Sequence, residues 1–141
     1  MPTPYSGRCL CGSVQFVITS EPAAVMSCYC EHCSKGAGGT NQIIAKFTHE
    51  DVRISAQDGS IRDYILSETA SGAPKTKSFC GTCGCTLWTV PQSATGKFLI
   101  VRTSLIDGGF ELRPGSEIFV KNRPKWTNRL EGVPQFTGPR K

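Results

Sequence analysis

The residues in this sequence best suited to chemistry are its 8 cysteines, which fall into three tight groups: Cys9-x-Cys11, Cys28-x-Cys30-x-x-Cys33 and Cys80-x-x-Cys83-x-Cys85. Clustered thiols of this kind point to metal binding rather than disulfides, because one turn can present two sulfurs to the same ion. Zinc is the expected ion, held by thiolates at about 2.3 Å in tetrahedral geometry. The sharpest signal is Phe79-Cys80-Gly81-Thr82-Cys83-Gly84. Two cysteines three apart flank a turn whose N–H groups point at the sulfurs, and the glycine after them suits a positive φ. Such a knuckle supplies half of a closed site, and the other half comes from Cys9 and Cys11 or from the Cys28–Cys33 group. With Cys9 and Cys11, it makes a closed four-sulfur centre spanning the 68 residues between Cys11 and Cys80. Such a centre contributes folding energy. Cys28, Cys30 and Cys33 then remain as three donors within six residues. Three protein ligands and one open position is the arrangement of a catalytic zinc. Two readings of Cys85 stand at this point: a fourth ligand that closes the second centre, or a small residue packed beside the knuckle. His32, between Cys30 and Cys33, is expected to face outward, and His49 to be a polar loop residue.

Short stretches with β-branched or alternating character must position these groups: Val14–Thr19, Ile43–Phe47, Val52–Ile54, Ile61–Leu66, Thr86–Val90, Phe98–Arg102 and Glu117–Val120. Turn signals separate them, among them Asp58-Gly59, Ser71-Gly72-Ala73-Pro74 and Asp107-Gly108-Gly109. The pattern predicts an all-β single domain over 5–136 with one helical turn near Glu31–Lys35, and loose termini at 1–4 and 137–141. The glycine-rich run Ser34–Thr40 follows the second cysteine group directly and could let a ligand approach the backbone, with Lys35 facing a bound anion. Trp88 and Trp126 could wall a pocket or simply fill the core.

Length and composition narrow the function classes. The 141 residues include 15 glycines and 9 prolines, consistent with many turns and short elements. No apolar run approaches the ~18 residues that cross a bilayer, so no membrane partner is expected. Met1–Tyr5 lacks the basic-then-apolar pattern of a secretory signal, and free thiols suit a reducing compartment, so a cytoplasmic location is expected. The net charge of +5 lies wholly in residues 113–141, where seven basic residues face Glu117 and Glu131. This segment could attract an anionic small molecule or an acidic protein. Nucleic acid is not expected, because basic and aromatic residues do not interleave in a recognition motif.

Three motifs together resemble the glutathione-dependent formaldehyde-activating enzyme family, also called the centromere protein V type domain. They are Gly7-Arg8-Cys9-Leu10-Cys11-Gly12-Ser13-Val14, then Cys28-Tyr29-Cys30-Glu31-His32-Cys33-Ser34-Lys35 with Gly38-Gly39, then Phe79–Gly84. The later stretch also fits, with Leu105-Ile106-Asp107, Arg113-Pro114 and Ile118–Trp126, so the likeness runs from about Tyr5 to Phe136. The resemblance implies an Mss4-like, all-β domain of short antiparallel strands carrying two zinc ions. It implies a structural zinc on Cys9, Cys11, Cys80 and Cys83, and a second, catalytic zinc on Cys28, Cys30 and Cys33. The implied activity is that of a carbon–sulfur lyase joining glutathione, a small-molecule thiol, to formaldehyde as S-hydroxymethylglutathione. The chain departs from the family pattern at Tyr29, where many members have histidine, and at Cys85, where a small or hydroxyl residue is usual. Two other function classes compete: a zinc-stabilised binding or scaffolding module without catalysis, and a redox sensor using Cys28–Cys33.

Overall fold

The computed structural model describes residues 4–139. Ten strands and one helix follow one another as β1 (Tyr5–Arg8), β2 (Val14–Ile18), β3 (Ala24–Cys28), α1 (Glu31–Ala37), β4 (Gln42–Thr48), β5 (Val52–Ala56), β6 (Ile61–Leu66), β7 (Lys75–Cys80), β8 (Thr86–Pro91), β9 (Phe98–Arg102) and β10 (Ser116–Ile118). They form a three-stranded sheet in the order β1-β2-β5 and a seven-stranded sheet in the order β10-β3-β4-β9-β8-β7-β6. No described helix is long and apolar enough to cross a membrane.

Alternation along β2 shows why the small sheet packs as it does. Val14, Phe16 and Ile18 point inward and are buried, while Gln15 and Val17 point out. Tyr5 joins them from β1, and together they meet Phe47, Leu87, Leu99 and Val101 from the seven-stranded sheet. Edge-to-face ring pairs lock the junction, Tyr5 with Phe47 at 6.0 Å and Phe16 with Trp88 at 6.1 Å. Gly7 is required here, since a Cβ would overlap the Phe16 ring and lie 2.7 Å from the Leu105 carbonyl oxygen. The other face of the large sheet carries a second buried cluster: Met26, Cys28, Ile44 and Ile118, capped by Cys33 of α1.

The mainly β architecture agrees with the sequence reading, and β6 and β9 have the expected limits. Three strands lie outside it. β1 is interrupted by Gly7, β3 runs into a cysteine group, and β7 reads Lys-Thr-Lys-Ser-Phe-Cys without an apolar alternation. The expected strand Glu117–Val120 ends at Ile118, because Phe119 takes a left-handed backbone (φ 55°) and residues 120–122 form a 3₁₀ turn. β10 pairs with β3 in parallel, where antiparallel pairing was expected. The glycine-rich run is mostly helix: α1 continues through Ala37, and Gly38 closes it at φ 73° with its N–H on the Ser34 carbonyl. Of the expected loose ends, residues 1–3, 140 and 141 lie outside the described residues, while Gly138 accepts a hydrogen bond from the Phe119 N–H.

Candidate functional site

The first sulfur group forms where the two sheets meet. Cys9 follows β1, Cys80 ends β7, and each begins a tight turn that returns a second cysteine, Cys11 or Cys83. Gly12 (φ 80°) and Gly84 (φ 81°) supply the left-handed residue after each pair. The turns are held by Gly12 N–H on Cys9 O, Gly84 N–H on Cys80 O and Cys80 N–H on Cys85 O. Backbone N–H groups of Val14 and Cys83 also point at the sulfurs of Cys9 and Cys80, at 3.4 and 3.5 Å. The four Sγ atoms lie within 4.8 Å of one another, with Cys9–Cys11 at 3.6 Å and Cys11–Cys80 at 3.7 Å. Four sulfurs at about 2.3 Å from one ion are roughly 3.8 Å apart, so the group fits a tetrahedral metal. Cys9 and Cys80 are buried in the core, and burial first pushes the Cys9 thiol up to about 11. Burial also opposes ionisation of Cys83, but N–H groups from Cys85 and Cys11 and the thiols of Cys80 and Cys9 bring it down to about 6.

The second group lies on the opposite face of the large sheet. Cys28 ends β3, Cys30 caps α1, and Cys33 projects from its first turn. The capping atom is itself a candidate ligand, since the Cys30 sulfur accepts the Cys33 N–H at 3.3 Å. Glu31 in the first turn and Lys35 in the last suit the helix dipole and pair with each other at 2.7 Å. The three Sγ atoms lie within 4.8 Å of one another, and among the described residues no fourth Cys, His, Asp or Glu joins them. Hydrogen bonds from Cys28 and then Cys33 hold the Cys30 thiol far below its ordinary range, and the same contacts, with burial, push Cys28 up.

Cys30 also lines a cleft of about 170 Å³, together with Lys75, Lys121, Asn122, Glu68 and Phe119. A wider groove of about 410 Å³ shares Glu31, His32 and Glu68 with it and extends past Tyr64 and Lys77. Phe119 is the one described non-glycine residue at positive φ, and backbone strain of this kind is often concentrated at working sites. A buried polar network fixes this corner. The Tyr29 hydroxyl donates to Glu117 at 3.3 Å, the Leu130 N–H and the Gln135 amide donate to the same carboxylate at 2.7 and 3.0 Å, and Arg123 lies 3.7 Å from it and over the Tyr29 ring.

The structure thus brings together Cys9, Cys11, Cys80 and Cys83, and separately Cys28, Cys30 and Cys33. Cys85 joins neither set and lies beside the first, near Cys83 and the Leu10 N–H. His32 faces the clefts without joining the sulfurs. Trp88 is core, and Trp126 is 79% exposed and lines no described cleft. Lys35 is exposed and paired with Glu31. Lys75, Glu68 and Phe119 were not singled out from the sequence. Lys75 and Glu68 carry no motif, while Phe119 and Lys121 sit in the Ile118–Trp126 stretch that took part in the resemblance.

Comparisons with known proteins bear on the family and the fold. The family model described as "Glutathione-dependent formaldehyde-activating enzyme" matches residues 4–122. A curated protein of Halomonas elongata, named "Putative glutathione-dependent formaldehyde-activating enzyme", is 29% identical over 124 residues, covering 85% of this chain and 77% of that protein. A crystal structure of a Rhodobacter sphaeroides protein shares the fold with a TM-score of 0.56 at 19% identity, over 92% of this chain and 98% of that one.

Proposed function

The chain belongs to the glutathione-dependent formaldehyde-activating enzyme family, and from that premise we propose that it is a cytoplasmic zinc enzyme of the carbon–sulfur lyase type, acting on a thiol adduct of formaldehyde. The observation that carries the proposal is the second sulfur group: three converging cysteines, no fourth protein donor among the described residues, and a cleft that reaches Cys30. Cys28, Cys30 and Cys33 would hold a zinc ion, which would supply the Lewis acidity that lowers the pKa of an incoming thiol. Zinc on Cys9, Cys11, Cys80 and Cys83 is structural.

The rest of the work falls to the chain itself. Lys75 and Lys121 give the cleft two cations for the carboxylates of a glutathione-like thiol, and Glu68 offers a partner for its ammonium group. The walls hold the substrate sulfur beside Cys30, so that it meets the aldehyde in a fixed orientation. In the forward direction the thiolate sulfur attacks the carbonyl carbon. A C–S bond forms, the π electrons move to oxygen, and that oxygen takes up a proton. The reverse direction breaks the same bond. The scaffolding alternative has less support: Arg113 and Arg123, two of the basic residues available to an acidic partner, bind the Glu131 carbonyl and the Glu117 carboxylate within the chain.

The test mixes protein of known zinc content with glutathione and formaldehyde and follows S-hydroxymethylglutathione by NMR against the uncatalysed rate. Acceleration that is lost in Cys30→Ser supports the proposal. No acceleration from protein carrying two zinc ions per chain defeats it.

A further inference from the structure

We propose that Arg102 is the fixed counter-charge of the Cys28–Cys30–Cys33 centre, a positioning residue whose buried guanidinium offsets the excess negative charge of the three sulfurs when they hold an ion. The inference rests on the reading of that centre as a metal site.

Arg102 is only 3% exposed, yet it takes part in neither of the two ion pairs among the described residues. One guanidinium nitrogen donates to the Thr89 hydroxyl at 2.6 Å and to the Ile100 carbonyl at 3.1 Å, both neutral acceptors, and its Nε is buried without a partner. A buried cation left in this state is costly unless an anion lies nearby. The sheet register indicates which anion. Arg102 on β9 stands opposite Ile44 on β4, which stands opposite Met26 on β3. Cross-strand partners share a face, and Cys28 lies two residues beyond Met26 on that face. Ile44, Met26, Cys28 and Cys33 form one buried cluster, with Ile100 packed against it. Burial pulls the guanidinium's proton affinity down, and the sulfurs of Cys33, Cys28 and Cys30 are the groups that raise it again.

The charges then balance. Three thiolates around a divalent cation leave one negative charge, and one guanidinium cancels it. Hydrogen bonds to Thr89 and Ile100 hold the side chain in place, so it needs no rearrangement to do so.

The full-length protein would be titrated with Co(II), reading the thiolate-to-metal absorption, in wild type, Arg102→Met and Arg102→Lys. Arg102→Met should weaken binding at the three-cysteine centre by about ten- to hundredfold, in line with partners of metal ligands elsewhere. The four-cysteine centre should be unchanged, and Arg102→Lys should recover most of the loss. Equal affinity in folded Arg102→Met and wild type would overturn the inference while leaving the proposed function standing. A wild-type three-cysteine centre that binds no Co(II) would overturn both. A second measurement covers poor folding of Arg102→Met. In a chain carrying Cys28→Ser, Cys30→Ser and Cys33→Ser, the guanidinium has no anion, and Arg102→Met should raise Tm. A further fall in Tm there would identify Arg102 as a hydrogen-bonding strut and overturn the inference.

Discussion

Cys9, Cys11, Cys80 and Cys83 sit where the two sheets meet and join residues as far apart as Cys11 and Cys80, 69 positions along the chain. Cys28, Cys30 and Cys33 come from one corner, β3 into α1, and rest on the far face of the large sheet beside a cleft. In the first group, Cys9 and Cys80 belong to the core itself, Cys11 is exposed, and backbone N–H groups point at the sulfurs of Cys9 and Cys80. In the second, the turn into the helix places the sulfurs, and no fourth protein ligand joins them among the described residues. On the proposed reading, the same residue type serves two purposes: tying distant segments together where donors are complete, and presenting reactivity where one donor is missing.

The widest gap between the two groups should appear on removing one sulfur from each. Cys80→Ser should lose one zinc per chain and most of the cooperative fold, a cost comparable with a domain's whole stability of about 5–15 kcal/mol. Metal analysis with far-UV circular dichroism checks it, and a folded variant with two zinc ions would erase the distinction. Cys30→Ser should also lose one zinc but cost only about 1–2 kcal/mol, because serine is itself a favoured cap for α1 and the sheet junction is untouched. Thermal melting and zinc content, compared with Cys80→Ser, show whether the second centre is separable from the fold.

Glu117→Gln sharpens the comparison from the cleft side. It removes the charge facing Arg123 and should cost about 1–3 kcal/mol in denaturant unfolding at neutral pH. Although burial acts against ionisation, the Leu130 N–H, the Gln135 amide, Ser27 and Arg123 together hold the Glu117 carboxyl below its ordinary value. Its contribution is therefore present above the unfolded-state pKa and lost as pH falls through the lower folded one, so wild type should lose stability on acidification where Glu117→Gln does not. A variant with the same acid limb as wild type would remove Glu117 from the account. The smallest effect is expected at Cys85→Ser, which should keep two zinc ions and change stability by less than about 1 kcal/mol. Loss of the second zinc in that variant would close the open centre and remove the difference between the two.

Much of this was legible because cysteine spacing is local information. A Cys-x-x-Cys turn with a following glycine announces its backbone, and β2, β6 and β9 announce themselves by side-chain alternation or β-branched content. What was hidden depends on contacts between distant segments. β7 is a strand because β6 and β8 pair with it on both sides, not because its own residues alternate. Lys75 matters through its place beside Cys30 across the cleft, and nothing around it in the sequence points there. Arg102 ends an ordinary apolar strand, and its side chain becomes unusual only when Ile44 and Met26 are laid beside it. The glycine-rich run after Cys33 reads in the sequence as backbone open to a ligand, yet the Cys30 cap and the Glu31–Lys35 pair carry the helix into it as far as Ala37.

The separation of 69 positions between Cys11 and Cys80 has a kinetic corollary. Closing a long loop costs more entropy than closing a short one, and sulfurs so far apart converge only after both sheets have assembled. The trio within six residues can gather around an ion while the chain is still emerging from the ribosome. On the two-zinc reading, loading therefore runs opposite to structural importance: the reactive position is filled during synthesis, and the ion that secures the finished architecture arrives last.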